Sequence, residues 1–269
     1  MSDNSPFVLI ITEGAHDVEA ISRILKLKGF CRLSKYDEIP KGLASIIPRQ
    51  YPTGKSGILT RLVPHPTFLE RNGNYMVVSN ANGKTQLGEN LSNLIGVLSM
   101  ESLSKLLGIA IIADIDQDSS KDCQRKIIQQ IQDNDPTLTI NMNNLLDGEL
   151  LKDENRFPLH LFLLPDNNSP GTLEFLLLAG AEQQYNELLQ EAYNYIDSAK
   201  NHYSKQLNGF NDKKATVGVV ANVLRPGKAN QVSIGEDKWF TTESLHSIPL
   251  HIKFGLFIEM MCRLFEADP

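Results

Sequence analysis

The strongest constraint on the fold is a pair of uninterrupted apolar runs, each ending in acid. Gly108-Ile109-Ala110-Ile111-Ile112-Ala113 leads straight into Asp114-Ile115-Asp116-Gln117-Asp118, and Phe7-Val8-Leu9-Ile10-Ile11-Thr12 leads into Glu13-Gly14. A short, mostly β-branched run with no polar alternation reads as a strand buried on both faces, which is the habit of parallel sheets covered by helices. Helical periodicity follows the first run. Val18, Ile21, Ile24, Leu25 and Leu27 form one apolar stripe, and Gly29 is placed to terminate it. The chain therefore opens on a strand-turn-helix unit.

The alternation continues. Tyr75–Ser79 reads as a short strand, Leu87–Leu107 as a helix leading into the aspartate strand, and residues 121–134 as a further helix. Pro158–Leu164 reads as a strand and Thr172-Leu173-Glu174 as the start of the next helix. Strands alternating with helices predict an α/β fold with a mostly parallel sheet. Prolines at 48, 52, 64 and 66 mark an irregular insertion over about 49–73. Beyond residue 181 the pattern is helical, with one long helix expected over 183–207 and others near 213–224 and 250–266. The expected organisation is a core over 6–181 and a helical extension over 182–269 packed on it.

With 269 residues, 41% of them hydrophobic, the chain can bury one large core or two small ones. A net charge of −6 argues against coating nucleic acid by charge alone. A local basic track survives that argument, running through Lys26, Lys28, Arg32, Lys35, Lys41, Arg49, Lys55 and Arg61. Cys31, Cys123 and Cys262 are scattered without zinc-ligand spacing, which suits a reducing, cytoplasmic setting. No apolar run reaches membrane-spanning length, so no membrane partner is expected. Pro52-Thr53-Gly54-Lys55-Ser56 lacks the upstream Gly of a phosphate-binding loop, Arg49 standing in its place. Lys55 and Arg61 remain candidates for touching substrate phosphates.

In a strand, side chains two apart share a face. Asp114 and Asp116 are thus expected side by side at the carboxyl end of their strand, with Asp118 in the loop beyond. Carboxylates about 4 Å apart repel by about 4 kcal/mol at an effective dielectric near 20. They must take up protons or hold a cation, and an all-oxygen set suits Mg²⁺ or Mn²⁺. The plainer alternative is that Asp and Ser here cap the following helix. Glu13 ends a buried strand at the same edge, and Asp17 lies four residues on in the first helical turn. His16 stands beside it as a candidate acid/base group or a surface histidine.

A strand ending Glu-Gly with an acid four residues later, and a later strand ending Asp-x-Asp, resemble the TOPRIM domain of topoisomerases, primases and OLD-type nucleases. The E-G-x-x-D form at Glu13 to Asp17 is closest to the OLD-type nucleases. Leu164-Pro165-Asp166-Asn167-Asn168-Ser169-Pro170-Gly171-Thr172-Leu173-Glu174 is similar to a small stand-alone group of TOPRIM-related proteins, as are Asp212-Lys213-Lys214-Ala215 and Trp239-Phe240. The resemblance implies a nuclease with one or two Mg²⁺ or Mn²⁺ ions, Glu13 as acid/base or ligand, and Asp114 and Asp116 as ligands. Asp17 joins if a second ion binds. Glu174 fits a downstream ligand, with Asp166 competing for that place. Lys214 would serve the leaving oxygen, although Lys213, Lys228 and Lys238 compete with it. It further implies DNA or RNA as partner, a separate ATPase subunit or none, and bacterial phage defence or repair as a setting; the apolar seam of the long helix at 183–207 (Tyr185, Leu188, Leu189, Tyr193, Ile196) suits packing on the core or a homodimer interface. The alternatives are a regulatory or assembly subunit that binds metal and nucleic acid without cutting, and a phosphotransfer enzyme acting on small nucleotides or RNA ends.

Overall fold

The computed structural model describes residues 5–47, 65–135 and 158–266. Lys55, Arg61 and most of the expected insertion lie outside them. In chain order the elements are β1 (Phe7–Thr12), α1 (Ala15–Leu27), β2 (Cys31–Arg32), α2 (Lys41–Ala44), β3 (Thr67–Arg71), β4 (Asn74–Asn80), α3 (Leu87–Gly96), α4 (Met100–Leu103), β5 (Leu106–Asp114), α5 (Ser120–Asn134) and β6 (Leu159–Leu164). Five helices follow: α6 (Leu173–Gln184), α7 (Asn186–Tyr203), α8 (Asn211–Leu224), α9 (Asn230–Glu236) and α10 (Ser244–Ser247), then α11 (Pro249–Arg263) closes the described chain. The six strands make one sheet in the order β2-β3-β4-β1-β5-β6. β4, β1, β5 and β6 run parallel, and the β2-β3-β4 edge is antiparallel. This is a Rossmann-like α/β architecture with a helical carboxyl-terminal region.

The apolar runs fill both faces because strand side chains alternate. Val8, Ile10, Ala110, Ile112 and Phe162 point to one core with α1, α6, α7, α8, α9 and α11. Leu9, Ile11, Ile109, Ile111 and Leu161 point to the other with α2, α3 and α5. Each fully buried Leu or Ile contributes about 1.5–3 kcal/mol. The carboxyl-terminal helices therefore share the core of α1 and the sheet, and residue 181 falls inside α6. β1 sits between β4 and β5, with β2, β3 and β4 laid down on one side of it and β5 and β6 on the other. The crevice at the carboxyl ends of such strands is where open α/β sheets bind ligands.

Three expectations about elements need correction. The insertion contains a strand, β3, joined to β4 by Asn72-Gly73 with φ of 54° and 79°. Both central residues left-handed is the turn that matches strand twist, and Asn-Gly is its preferred pair. The helix expected over Leu87–Leu107 breaks after Gly96, restarts at α4 where Ser99 Oγ accepts from the Ser102 N–H at 3.1 Å, and Leu106 and Leu107 are already strand. The helix expected over 183–207 is cut at Tyr185 (φ −138°, ψ 37°) and ends at Tyr203. Tyr185 is held out of register by tertiary contacts: its hydroxyl accepts from the Lys238 N–H at 2.7 Å and its ring meets Trp239 edge-on.

Candidate functional site

The carboxyl edge of the sheet is stitched by its own acids. Where β1 and β5 end, Glu13 Oε1 accepts from the Asp114 N–H at 2.8 Å, replacing the strand ladder with a side chain. Gly14 is extended, and its N–H donates to Asp17 Oδ2 at 2.8 Å, capping α1. Asp114 Oδ1 in turn accepts from the Leu173 N–H at 2.9 Å, at the first residue of α6. That contact fixes the helix that carries Glu174.

The loop from β6 to α6 delivers Glu174. Asp166 Oδ1 accepts from the N–H groups of Asn168 and Ser169, Asn167 Oδ1 accepts from the Leu163 N–H, and Asn167 is left-handed at φ 67°. Gly171 has φ +155°, and a Cβ there would stand 2.9 Å from Pro165 Cδ. Only glycine closes this turn without strain.

The result is a cleft of about 310 Å³ lined by Glu13, Asp17, Asp114, Glu174, His16 and Lys214, with Gln231 and the backbone at Gly83 completing the wall. Three of its carboxyls, Glu13, Asp17 and Asp114, are strongly perturbed. Burial lifts Glu13 from 4.5 to about 7 against the Asp114 N–H and the Lys84 charge. Burial and the Glu13 charge lift Asp17 from 3.8 to about 8. Burial, then Asp17 and Glu13, hold Asp114 well above the usual carboxylate range. Burial lowers His16, so its imidazole is held neutral. Glu174 is 6% exposed, and its Oε2 is buried without a hydrogen-bond partner.

Asp116 is not beside Asp114. The strand stops at Asp114, Ile115 is fully buried with its N–H on the Leu164 carbonyl, and Asp116 turns left-handed at φ 58°. Asp116 and Gly171 exchange backbone hydrogen bonds of 2.8 and 2.9 Å. These changes defeat strand alternation, so the Asp116 carboxylate leaves the cleft, is 47% exposed and pairs with Lys84 at 3.0 Å. It still acts on Glu13 and Asp114 through its charge. Asp118 pairs with Lys126 at 2.7 Å, and Asp166 with Lys253 at 3.2 Å, so neither faces the cleft. Of the competing lysines, Lys213 lies over the Phe175 ring while Lys214 lines the cleft. The basic track is partly neutralised, Lys28 by Glu259 and Arg32 by Glu19.

Lys84 and Gln231 have no counterpart in the sequence reading. Lys84 follows Asn82 and Gly83, both at positive φ, and its Nζ donates to the Asp114 carbonyl as well as to Asp116. Its one available signal is the Asn-Gly turn before it. Among the described residues no three His, Cys, Asp or Glu side chains stand ready-formed to hold a metal ion. No helix among them is long and apolar enough to cross a membrane.

No curated protein matches the chain. Among solved structures, the hypothetical protein PH0156 from Pyrococcus horikoshii OT3 is similar, at 17% identity and a TM-score of 0.47 over 97% of this chain and 98% of that one. A family model described as "Protein of unknown function (DUF3226)" matches residues 8–259, and the chain belongs to that family.

Proposed function

We propose that the chain is a divalent-metal-dependent hydrolase of phosphodiester bonds in DNA or RNA, working through a TOPRIM-like acidic edge. The observation that carries this reading is the meeting of Glu13, Asp17, Asp114 and Glu174 in one cleft, with Glu174 Oε2 buried and unpartnered. A buried carboxylate oxygen with no donor is costly unless a proton or a cation meets it. The donor set fits Mg²⁺ or Mn²⁺ in type and charge. Mg²⁺ keeps several waters and is held by one or two carboxylates plus substrate phosphates. Bound there, such an ion would neutralise charge on the scissile phosphate and activate the attacking water.

The chain's own residues supply the rest. Glu13, held at about 7, is poised to take or give a proton at neutral pH, as a general acid/base needs. Asp114 is aimed from both ends, by its N–H to Glu13 and by the Leu173 N–H to its Oδ1. Lys214 faces the carboxylates across the cleft and offers its ammonium to a phosphate oxygen. Asp17 locks the first turn of α1 against Gly14.

The test is purified chain with supercoiled plasmid, single-stranded DNA and total RNA, each with Mg²⁺, Mn²⁺ or EDTA. Metal-dependent cleavage that is lost in Asp114→Asn and in Glu174→Gln is expected. Cleavage that survives both substitutions overturns the assignment. The cleft's 310 Å³ and the net charge of −6 favour a second reading, phosphate chemistry on a small nucleotide or an RNA end. Products of unchanged polymer length would select it, and metal-dependent binding without turnover would select an assembly role.

A further inference from the structure

We propose that Lys84 is a positioning residue for the acidic cleft, clamping the turn after β5 so that Asp114 faces in and Asp116 faces out. Its ammonium bonds the turn after β5, and backbone bonds on either side of that contact tie in two further segments. Nζ donates to the Asp114 carbonyl, and it pairs with Asp116 Oδ2 at 3.0 Å. Asp116 is tied at its backbone to Gly171, on the loop that delivers Glu174. Lys84 is itself anchored, because the Gly83 N–H donates to the Glu13 carbonyl at 2.8 Å. Its side chain is about four-fifths buried, so the ammonium is not a freely solvated surface charge.

The role matters because Asp116 sits in a left-handed conformation, which Asp tolerates better than most residues but which still needs partners to fix it here. Two backbone bonds to Gly171 and one ion pair to Lys84 hold it. Without the ammonium, the Asp116 carboxylate is free to swing, and the Asp114 carbonyl keeps only the weak Cys123 thiol donor at 3.5 Å. The aim of Asp114 Oδ1 at the Leu173 N–H then loosens.

The inference rests on the metal reading for its effect on binding but not for its effect on geometry, and the experiment separates them. Lys84→Met and Lys84→Arg are compared with the unaltered chain by Mn²⁺ calorimetry and by amide hydrogen exchange. A counter-charge alone would make Mn²⁺ bind more tightly once removed. A positioning lysine makes it bind more weakly, by about 10- to 100-fold as for other residues that orient ligands, with Lys84→Arg restoring part of the loss. Exchange at Asp116 and Leu173 should quicken in Lys84→Met while the central strands β1 and β5 stay protected. Tighter Mn²⁺ binding, or unchanged exchange at both amides, overturns the role. If the unaltered chain binds no Mn²⁺, the metal reading fails and exchange alone decides on Lys84. If Lys84→Met does not fold, Asp116→Asn breaks the same pair from its exposed side, and the same two amides give the answer.

Discussion

Glu13→Gln should make the metal-free protein more stable at alkaline pH while leaving it unchanged in acid. The substitution is nearly isosteric, and the amide oxygen can still accept the Asp114 N–H that Glu13 Oε1 accepts now. What changes is the charge. Glu13 is held at about 7 in the folded chain against an ordinary 4.5, chiefly because burial disfavours the ionised form. Below pH 4.5 the group is protonated folded or unfolded and contributes no difference. Between 4.5 and 7 the unfolded chain releases the proton while the folded chain keeps it, so stability falls as pH rises. Above 7 the loss levels off at about 3 kcal/mol, from about 1.36 kcal/mol per pKa unit. For a chain of this size that is roughly 5–10 °C in Tm. The assay is thermal unfolding in EDTA of both proteins from pH 4.5 to 8.5. The curves should coincide at the acid end and separate progressively through pH 7, the variant above. Parallel curves across the whole range would refute the claim that burial holds this carboxyl up.

Other perturbations report on separate parts of the molecule. Gly180→Ala would place a Cβ 1.9 Å from the Trp239 carbonyl, so α6 must shift from its packing; a loss of about 3 kcal/mol or more in urea unfolding is expected, at the upper end of overpacking costs. Gly73→Ala meets no atom within 4 Å but sits at φ +79°, so a purely conformational cost of about 1 kcal/mol is expected in the same assay. His160 is buried with Nε2 unpartnered, and burial lowers it to about 4. Because the unfolded chain gains that proton first, stability conferred above pH 6.5 is lost as pH falls towards 4. His160→Leu should therefore flatten the acid side of the Tm profile, and an unchanged slope would show that the ring protonates freely in the fold.

The main strands were legible because burial on both faces leaves no polar alternation, and β1, β5 and β6 carry that signature in their residues. Glu13, Asp17 and Asp114 were legible because they stand at or just past the ends of β1 and β5, where chain order alone fixes their place. Asp116 was misplaced for a tertiary reason. Its left-handed turn is set by Gly171, far along the chain, and strand periodicity cannot register a partner it does not contain. The cut at Tyr185 is of the same kind, decided by Lys238 and Trp239. The β3–β4 hairpin was a different failure. Asn72-Gly73 was present as a local signal, and the prolines before it drew the whole stretch into an irregular reading. Lys84 acts through side-chain reach, which no periodic pattern encodes.

The cleft's far wall is built from α8 and α9, the same helices that complete the core over α1 and the sheet. Lys214 and Gln231 thus belong to elements whose first duty is to keep that face dry. Reshaping the cleft by exchanging its carboxyl-terminal half, as modular enzymes exchange lids, would strip the apolar cover from Val8, Ile10 and Ile21 in the same stroke. On this wall, variation in what enters the cleft is accordingly confined to single side chains on α8 and α9, such as Lys214 and Gln231. In this architecture the cleft's far wall can be edited residue by residue but not replaced as a unit.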